Sequence, residues 1–252
     1  MLKVRIIPVV LLDGYNVVKS IQFSVFRNLG SPVTVSRIYD SRGVDELVLL
    51  DIKATIRSQE PSVDIIADIS SECFMPLTIG GGIRTIEHAR ALLANGADKV
   101  VINSEAVHVP EFITALSREF GAQCVMVSID VKRGADGRKT VYTHAGKQAT
   151  QRDPVKWALE VERRGAGEIL LTSIDLDGTM KGYDLELIER VCEAIAIPVI
   201  ASGGAGNYQH MYQALTQGKA AAVAAASIYH FTDQTPLGAK QYLHERGIPV
   251  RL

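Results

Sequence analysis

The sequence has few cysteines and no spacing that would pair them. Cys73, Cys124 and Cys192 are its three cysteines, and they lie far apart with no CxxC pair. A disulfide framework usually has an even number of cysteines, and a zinc site has closely spaced cysteine or histidine ligands. We therefore expect no disulfide framework, no metal, no cofactor and a reducing, cytoplasmic location.

The sequence also lacks an excess of either charge and any long apolar run. Lys and Arg number 27 against 28 Asp and Glu, a formal net charge of −1. Clustered positive charge marks nucleic-acid and polybasic membrane binders, so neither class is expected. No uncharged apolar stretch approaches the roughly 18 residues of a membrane-spanning helix. The apolar run near the N-terminus contains Pro8 and leads into Asp13, which is unlike a signal peptide.

Eight short runs rich in Val, Ile and Leu recur along the chain, separated by segments with helical periodicity. Such runs are typical of parallel strands covered on both faces. Eight strands alternating with helices in 252 residues favour an α/β fold, a closed (βα)8 TIM barrel, over an open doubly wound sheet. We predict one barrel domain over residues 1–252, in which the long segment 14–32 either closes over substrate or docks on the barrel. The predicted strands are 4–12, 46–51, 76–79, 99–103, 124–130, 168–173, 198–201 and 221–226.

The two halves of the sequence match each other at a constant shift of 122 residues. Residues 43–47 (GVDEL) match 165–169 (GAGEI), and the same shift carries Pro76 onto Pro198. Chance matches would not keep one shift over roughly sixty residues, because loop lengths differ. The repeat predicts a twofold barrel made of two half-barrels, each with four βα units.

Two glycine-rich turns follow the third and seventh predicted strands, each before a helix. They are residues 80–84 (GGGIR) and 202–206 (SGGAG). Glycine lets the backbone approach an anion closely, and a helix N-terminus directs unpaired N–H groups at it. Each turn alone is explained as the tight connection that any barrel needs, but two at equivalent positions favour a pair of phosphate sites for a substrate phosphorylated at both ends. The predicted phosphate-binding residues are Gly81, Gly82, Ser104, Asp177, Gly178, Thr179, Gly203, Gly204, Ala226 and Ser227.

Four charged residues begin strands at the opposite end of the predicted barrel. The two-residue period of a strand allows Glu46 to point inward, and the repeat then places Glu168 likewise. Arg5 begins the first strand and Lys99 the fourth. These side chains either compensate one another in one layer, as buried charges must, or face solvent at the strand starts.

Ten motifs distributed over the whole chain carry a resemblance to a known family. They are residues 5–8 (RIIP), 45–47 (DEL), 77–84 (LTIGGGIR), 96–100 (GADKV), 102–104 (INS), 165–175 (GAGEILLTSID), 177–179 (DGT), 182–184 (GYD), 200–206 (IASGGAG) and 247–252 (GIPVRL). In them the chain resembles the cyclase subunit of imidazole glycerol phosphate synthase. The resemblance implies a bisphosphate substrate of the ribonucleotide type and ammonia delivered through the barrel by a class I glutamine amidotransferase, which forms a heterodimer with the barrel. No cysteine of this chain lies in a nucleophile-elbow context, so the glutaminase is a separate subunit.

The resemblance also implies roles for individual residues. The implied ammonia gate consists of Arg5, Glu46, Lys99 and Glu168. The family's chemistry uses two aspartates at the top of the barrel as general acid and base. The fifth-strand aspartate matches Asp130, and the family's lysine matches Lys19.

The first-strand aspartate of the family has no counterpart here. Eight residues before Lys19, where the family has it, this sequence has Leu11. Asp13 has the same parity but lies a step of roughly 6–7 Å further along the strand, so it replaces the missing acid only if the loop folds back. General acid–base catalysis typically contributes about 10²–10⁴-fold, so ordinary cyclase activity is doubtful.

Three hypotheses follow from this departure. The preferred one is a divergent paralogue of the kind that accompanies glutamine amidotransferases in bacterial surface-polysaccharide and lipopolysaccharide synthesis, where ammonia amidinates an acetamido sugar. The second is the ordinary histidine-biosynthesis cyclase, a lyase-type synthase that makes imidazole glycerol phosphate. The third is a non-catalytic ammonia conduit that activates the glutaminase. The isomerase relative in the same pathway is disfavoured by the four gate residues.

Overall fold

The computed structural model describes residues 3–252, which form twelve β-strands and ten α-helices. The strands are β1 (Arg5–Asp13), β2 (Asn16–Ile21), β3 (Val25–Gly30), β4 (Leu47–Asp51), β5 (Leu77–Gly80), β6 (Lys99–Ile102), β7 (Val125–Arg133), β8 (Lys139–Thr143), β9 (Gln148–Ala149), β10 (Glu168–Ser173), β11 (Val199–Ser202) and β12 (Ala222–Ala225). The helices are α1 (Pro32–Ser41), α2 (Val63–Ser70), α3 (Ile86–Ala94), α4 (Ser104–His108), α5 (Glu111–Phe120), α6 (Pro154–Arg163), α7 (Leu185–Ala194), α8 (Tyr208–Thr216), α9 (Ser227–Phe231) and α10 (Pro236–His244). No helix among these residues has the length and apolarity needed to cross a membrane.

Eight of the strands form a closed parallel barrel. β1 pairs in parallel with β4 on one side and with β12 on the other. The order continues from β4 through β5, β6, β7, β10 and β11 to β12. Each predicted strand is present, with bounds that differ by at most three residues from the predicted ones. The predicted (βα)8 barrel is therefore confirmed.

Alternation of side chains along the barrel strands separates two apolar clusters. Ile6 and Val10 of β1 belong to an outer cluster between the strands and the helices. Ile7, Val9 and Leu11 of the same strand belong to an inner cluster inside the barrel. The inner cluster also contains Val18, Val48, Val101, Met126, Leu170, Ile200, Ala222 and Ala224. The barrel interior is thus a packed core, as the period of two requires.

The two half-barrels repeat in three dimensions with the shift seen in the sequence. A shift of 122 residues carries α1 onto α6, β5 onto β11 and α3 onto α8 without a change of length. Thr85 and Asn207 cap α3 and α8 in the same way, each accepting a backbone N–H with its side-chain oxygen. β12 and α9 are displaced by one further residue from β6 and α4, and β7 follows β1 at a shift of 120 residues.

Two β-hairpins extend from the C-terminal ends of opposite barrel strands. The segment 14–32, predicted to close over substrate or to dock on the barrel, contains the β2–β3 hairpin, which pairs antiparallel with β1. β8 and β9 extend β7 in the same manner. A Cβ on Gly146, between β8 and β9, would lie 3.0 Å from Phe23 at the tip of the first hairpin. The hairpins therefore meet across the C-terminal end of the barrel.

Candidate active site

A cavity of about 350 Å³ opens at the C-terminal ends of the barrel strands. Active sites of TIM barrels lie at this end because the βα loops surround it. Most of the residues predicted as site residues line the cavity: Lys19, Gly81, Gly82, Ser104, Asp130, Asp177, Gly178, Gly203, Gly204, Ala226 and Ser227. The structure therefore brings together side chains from both halves of the chain.

Two of the residues predicted for catalysis or phosphate binding do not line this cavity. Asp13 ends β1, and its carboxylate pairs with the guanidinium of Arg57 at 2.7 Å. The loop after it does not fold back, because Asp13 pairs with Asn16 at the start of the β2–β3 hairpin. Thr179 donates its hydroxyl to the carbonyl of Leu176 at 2.8 Å. Neither residue contributes a group to the cavity wall.

Asp130 is the carboxylate most enclosed by protein in the cavity. Ser128 donates its hydroxyl to one carboxylate oxygen at 3.0 Å, and the amide of Asn103 donates to the other at 3.2 Å. Burial raises the pKa of Asp130 to about 7, the Ser128 hydrogen bond opposes this rise, and the charge of Asp177 adds to it. At neutral pH this carboxyl can therefore both accept and donate a proton.

The wall opposite Asp130 is apolar. β1 and β7 are four strands apart in the eight-stranded barrel, so Leu11 and Asp130 face each other across the cavity. Leu11 is 8% exposed and pairs with Val18 on one side and Leu50 on the other. The cavity thus has an enclosed acid on one wall and a hydrocarbon surface on the other.

Lys19 and Asp177 join the first hairpin to the loop after β10. Lys19 is buried, and its Nζ lies 3.1 Å and 3.3 Å from the two carboxylate oxygens of Asp177. The backbone N–H of Gln22 donates to the carbonyl of Asp177 at 2.9 Å. These contacts hold the hairpin over the cavity and leave the charge of Lys19 largely compensated.

The two glycine turns need glycine for steric reasons. Gly81 and Gly203 have φ of +109° and +84°, a region that other residues rarely adopt. A Cβ on Gly203 would lie 2.6 Å from the carbonyl oxygen of Ser173, and one on Gly81 would overlap the carbonyl of Asp51. Each turn is therefore packed against the neighbouring strand end, with its backbone at the cavity surface.

At the opposite end of the barrel, the four predicted charged side chains are in direct contact. Arg5 donates to Glu46 and to Glu168 at 2.6 Å each. Lys99 donates to the same two carboxylates at 3.1 Å and 2.9 Å. Burial lowers the pKa of Arg5, but the two glutamates outweigh it and hold this pKa above its ordinary value. Because each cation touches both anions, the four side chains form a closed ring with no net charge, which we call the ion ring.

The barrel interior between the ion ring and the cavity is apolar. One inward step above Arg5 and Glu46 lie Ile7 and Val48, both fully buried. Val9 and Leu50 lie one step higher and already line the cavity. Loss of hydration in such a layer costs an ion far more free energy than it costs a small neutral molecule, so this layer discriminates against charge.

A comparison with known families agrees with this architecture. Residues 5–235 match the family model described as Histidine biosynthesis protein. The chain belongs to this family. Members of the histidine biosynthesis family are generally enzymes, either isomerases or cyclases. The match covers all eight barrel strands and every residue of the cavity and of the ion ring described above.

The sequence interpretation assigned no role to several side chains of the two sites. The hydroxyl of Thr78 donates to Glu46 at 2.5 Å, and Asn103 holds Asp130. Strand parity was the available signal for Asn103, because it shares the inward parity of Lys99. His108 and His144 also line the cavity, and no spacing in the sequence marks them as neighbours.

Proposed function

We propose that this chain is an ammonia-using synthase subunit that acts on a phosphorylated small molecule and forms a heterodimer with a class I glutamine amidotransferase. The observation that carries the proposal is the placement of the ion ring and the cavity at opposite ends of one barrel, with apolar layers between them. An active-site barrel needs no compensated charge at its far end for substrate binding alone. A role in controlling the entry of a small reactant that another subunit produces would explain the ion ring.

The contacts of the ion ring favour Lys99 as its movable member. Arg5 holds both glutamates at 2.6 Å, whereas the Lys99 contacts are 3.1 Å and 2.9 Å. The lysine ammonium is a point charge on a flexible stem, and arginine binds carboxylates with a rigid fork. When Lys99 swings away, Arg5 still bridges Glu46 and Glu168, so the ring opens without leaving either carboxylate alone. Neutral ammonia then enters the apolar layers, and ammonium is held back by its hydration.

The two glycine turns support a substrate with anionic groups at both ends. They follow β5 and β11, which lie on opposite sides of the barrel mouth. The turns precede α3 and α8, whose first turns carry the partial positive charge of a helix N-terminus. Backbone groups supply this binding, so no basic patch is needed.

The single enclosed carboxyl favours the divergent, amidinating branch over the ordinary cyclase. Ammonia adds to the acetamido carbonyl carbon to form a C–N bond, and the C–O bond then breaks with loss of the oxygen as water, which leaves the amidine. Asp130, with a pKa of about 7, can carry protons from the added nitrogen to the departing oxygen. Ring closure between two substrate arms, as the resemblance implies for the ordinary cyclase, uses a second acid at the position of Leu11. An acetamido sugar is therefore the proposed substrate class, as in surface-polysaccharide synthesis.

The same leucine favours one second candidate, a non-catalytic ammonia conduit. In that case the barrel binds and activates the glutaminase, and a third protein uses the ammonia. The two candidates differ in the cavity, because a conduit has no need to bind a phosphorylated substrate.

Three measurements test the proposal. The chain is co-expressed with each class I glutamine amidotransferase of the same genome, and glutamine hydrolysis is measured with and without it. Binding of the histidine-pathway bisphosphate and of phosphorylated acetamido sugars is measured by calorimetry. Turnover of the bisphosphate with ammonium salt is followed beside a working cyclase as the control.

The proposal predicts stimulated glutaminase, binding of a phosphorylated sugar, and no turnover of the bisphosphate. Turnover of the bisphosphate would instead establish the ordinary cyclase. Stimulation without binding of any phosphorylated compound would establish the conduit. If no amidotransferase is stimulated, the role of the ion ring as an ammonia gate is wrong.

A further inference from the structure

The cavity wall carries more acidic than basic side chains. Its basic residues are Lys19 and Arg84, and its acidic residues are Asp51, Glu105, Asp130 and Asp177. Lys19 is paired with Asp177, and the guanidinium of Arg84 donates to the carbonyls of Ser58 and Gln59 at 3.0 Å and 3.2 Å. Backbone N–H groups of the glycine turn and the charge of Arg84 leave part of the charge of a phosphate dianion uncompensated, so a further positive charge nearby would strengthen its binding.

Two histidines lie together on the cavity wall beside the first glycine turn. His108 ends α4, and His144 lies in the turn between β8 and β9. Their ring centroids are 5.5 Å apart, and both rings line the cavity next to Ser104. Since β5 and β6 are neighbours in the barrel, the turn after β5 and Ser104 after β6 lie side by side. Together with Arg84 of the turn itself, the two imidazoles are the basic groups that line this end of the cavity.

The position of His144 is fixed by contacts that leave one ring nitrogen for a ligand. Its backbone N–H donates to the hydroxyl oxygen of Ser104 at 3.0 Å, and its Nδ1 lies 3.1 Å from the hydroxyl of Thr143. Ser104 in turn donates to Asn103, which donates to Asp130. His144 keeps a positive φ of 54° in this arrangement. The backbone of His144 is therefore joined to Asp130 by hydrogen bonds, and its Nε2 makes no hydrogen bond to the described residues.

We propose that His108 and His144 bind one phosphate group of the substrate and determine which of its ends lies over the first half-barrel. This inference rests on the phosphorylated substrate proposed above. The two ends of the cavity differ at this position, because α9 ends in Phe231 where α4 ends in His108. Over residues 3–252, no three or more His, Cys, Asp or Glu side chains are grouped so as to hold a metal ion, so this pair is better suited to an anion.

Protonation of His144 supplies this further positive charge when the anion binds. Burial and the neighbouring His108 lower the pKa of His144, so this ring is neutral near neutral pH until an anion stabilises its charged form. The charged groups on the surrounding elements are Arg84, Glu105, Glu111, Asp130, Lys147 and Arg152. Of these, Asp130 also titrates near neutral pH, with a pKa of about 7, so a test must separate its effect from that of the histidines.

Sulfate is the appropriate probe, because it keeps two negative charges over the range in which imidazole titrates. Its affinity is measured by calorimetry at about pH 6 and about pH 8 for the wild type and for the double variant His108→Gln/His144→Asn. Asparagine is chosen at position 144 because it tolerates positive φ. The control is His244→Gln, which changes an exposed histidine at the end of α10.

We expect the affinity of the wild type for sulfate to rise on acidification. The double variant should bind sulfate about tenfold to a hundredfold more weakly than the wild type at about pH 6, because it lacks the charge-assisted hydrogen bonds of the imidazoles. The variant keeps only the smaller pH dependence that comes from Asp130. Imidazole chemical shifts of the wild type, titrated with and without sulfate, must show a rise in two histidine pKa values, a readout that does not depend on the variant folding.

Equal sulfate binding by the wild type and the double variant would overturn the assignment of the histidine pair. Imidazole chemical shifts that do not change with sulfate would overturn it as well. Neither result would contradict the proposal of a phosphorylated substrate. Absence of binding of sulfate and of any phosphorylated sugar by the wild type would overturn the phosphorylated substrate itself, and this inference with it.

Discussion

Replacement of Lys99 by methionine removes one of the two cations of the ion ring and keeps most of the apolar stem of the side chain. The change deletes the contacts of Lys99 with Glu46 and Glu168 at 3.1 Å and 2.9 Å. Arg5 is then the one cation of the ion ring in contact with Glu46 and Glu168. The ring changes from no net charge to one excess negative charge.

The expected cost in stability follows from the burial of the partners. Removal of one member of a fully buried ion pair costs about 3–5 kcal/mol. Glu46 is only 2% exposed, but the side chains of Glu168 and Lys99 are 15% and 18% exposed, and Arg5 remains in contact with both glutamates. We therefore expect Lys99→Met to lower the free energy of unfolding by about 1–3 kcal/mol, and Lys99→Met/Glu46→Gln to recover part of it because its charges balance again.

Urea unfolding measures this cost, provided that the slope with denaturant stays unchanged. Lys219→Met is the matched control, because Lys219 pairs with Glu193 on the surface with half of its side chain exposed. Such a pair contributes about 0–1 kcal/mol. In the complex with a glutaminase, the product formed per glutamine hydrolysed is compared with synthesis driven by ammonium salt.

Without Lys99 the ring stays open whether or not substrate is bound, so ammonia also crosses the barrel between turnovers and escapes through the cavity mouth. Lys99→Met should therefore lower the product per glutamine about tenfold or more, which corresponds to a change of about 1.4 kcal/mol. Synthesis from ammonium salt should fall much less, because ammonia in bulk solvent reaches the cavity through its open mouth. A stability cost no larger than that of Lys219→Met would refute the reasoning about the ring. Unchanged product per glutamine would refute its role as a gate.

Three further substitutions test the cavity. Asp130→Asn should lower synthesis by about 10²–10⁴-fold and should stabilise the protein at about pH 8 more than at about pH 5, measured by urea unfolding. Gly203→Ala should cost about 1–3 kcal/mol, since it adds strain at positive φ and an overlap with the carbonyl of Ser173, and calorimetry should show weaker sulfate binding. Leu11→Asp should give ammonium-dependent turnover of the histidine-pathway bisphosphate, at a cost of about 2–4 kcal/mol for a carboxylate in an apolar wall.

The pH dependence of Asp130→Asn follows from the raised pKa of the carboxyl. With a folded pKa of about 7 against about 3.9 when unfolded, the native protein binds this proton more tightly. Its stabilising effect is fully present below the unfolded pKa and is lost as the pH rises through the folded one. The upper limit of this loss is about 4 kcal/mol, and contact with cavity water reduces it, so we expect a gain of about 1–2 kcal/mol for the variant at about pH 8. Equal effects at both pH values would contradict the raised pKa.

The other two substitutions have close controls in the chain. Gly137 has φ of +80° with no atom within 4 Å of an added Cβ, so Gly137→Ala reproduces the strain of Gly203→Ala without the overlap. If both variants lose equal stability and keep sulfate binding, the packing argument for the second glycine turn fails. Leu11→Asn places a polar group of similar size in the same wall, and turnover by this variant would show that proton transfer from position 11 is not needed.

Much of the fold could be predicted from the chain alone, because it depends on periodic patterns and on backbone sterics. The eight buried strands follow from runs of apolar residues, and Gly81 and Gly203 are required wherever a strand turns sharply into a helix. Parity also allowed Glu46 and Glu168 to point into the barrel. The β2–β3 hairpin was not predicted from the segment 14–32. Its antiparallel pairing with β1 depends on contacts between strands, which strand propensity alone does not determine.

The tertiary structure decided which groups meet. Asp13 has the parity of Leu11, yet its contact with Arg57, forty-four positions away in the chain, takes it away from the cavity. His108 and His144 come from a helix end and a hairpin turn that no local pattern relates, and only closure of the barrel and the β7–β8–β9 extension place their rings side by side. Sequence periodicity fixes which way a side chain points along its own strand or helix. The distance between side chains on different elements depends on how those elements pack, and the charge and acidity of the cavity depend on that distance.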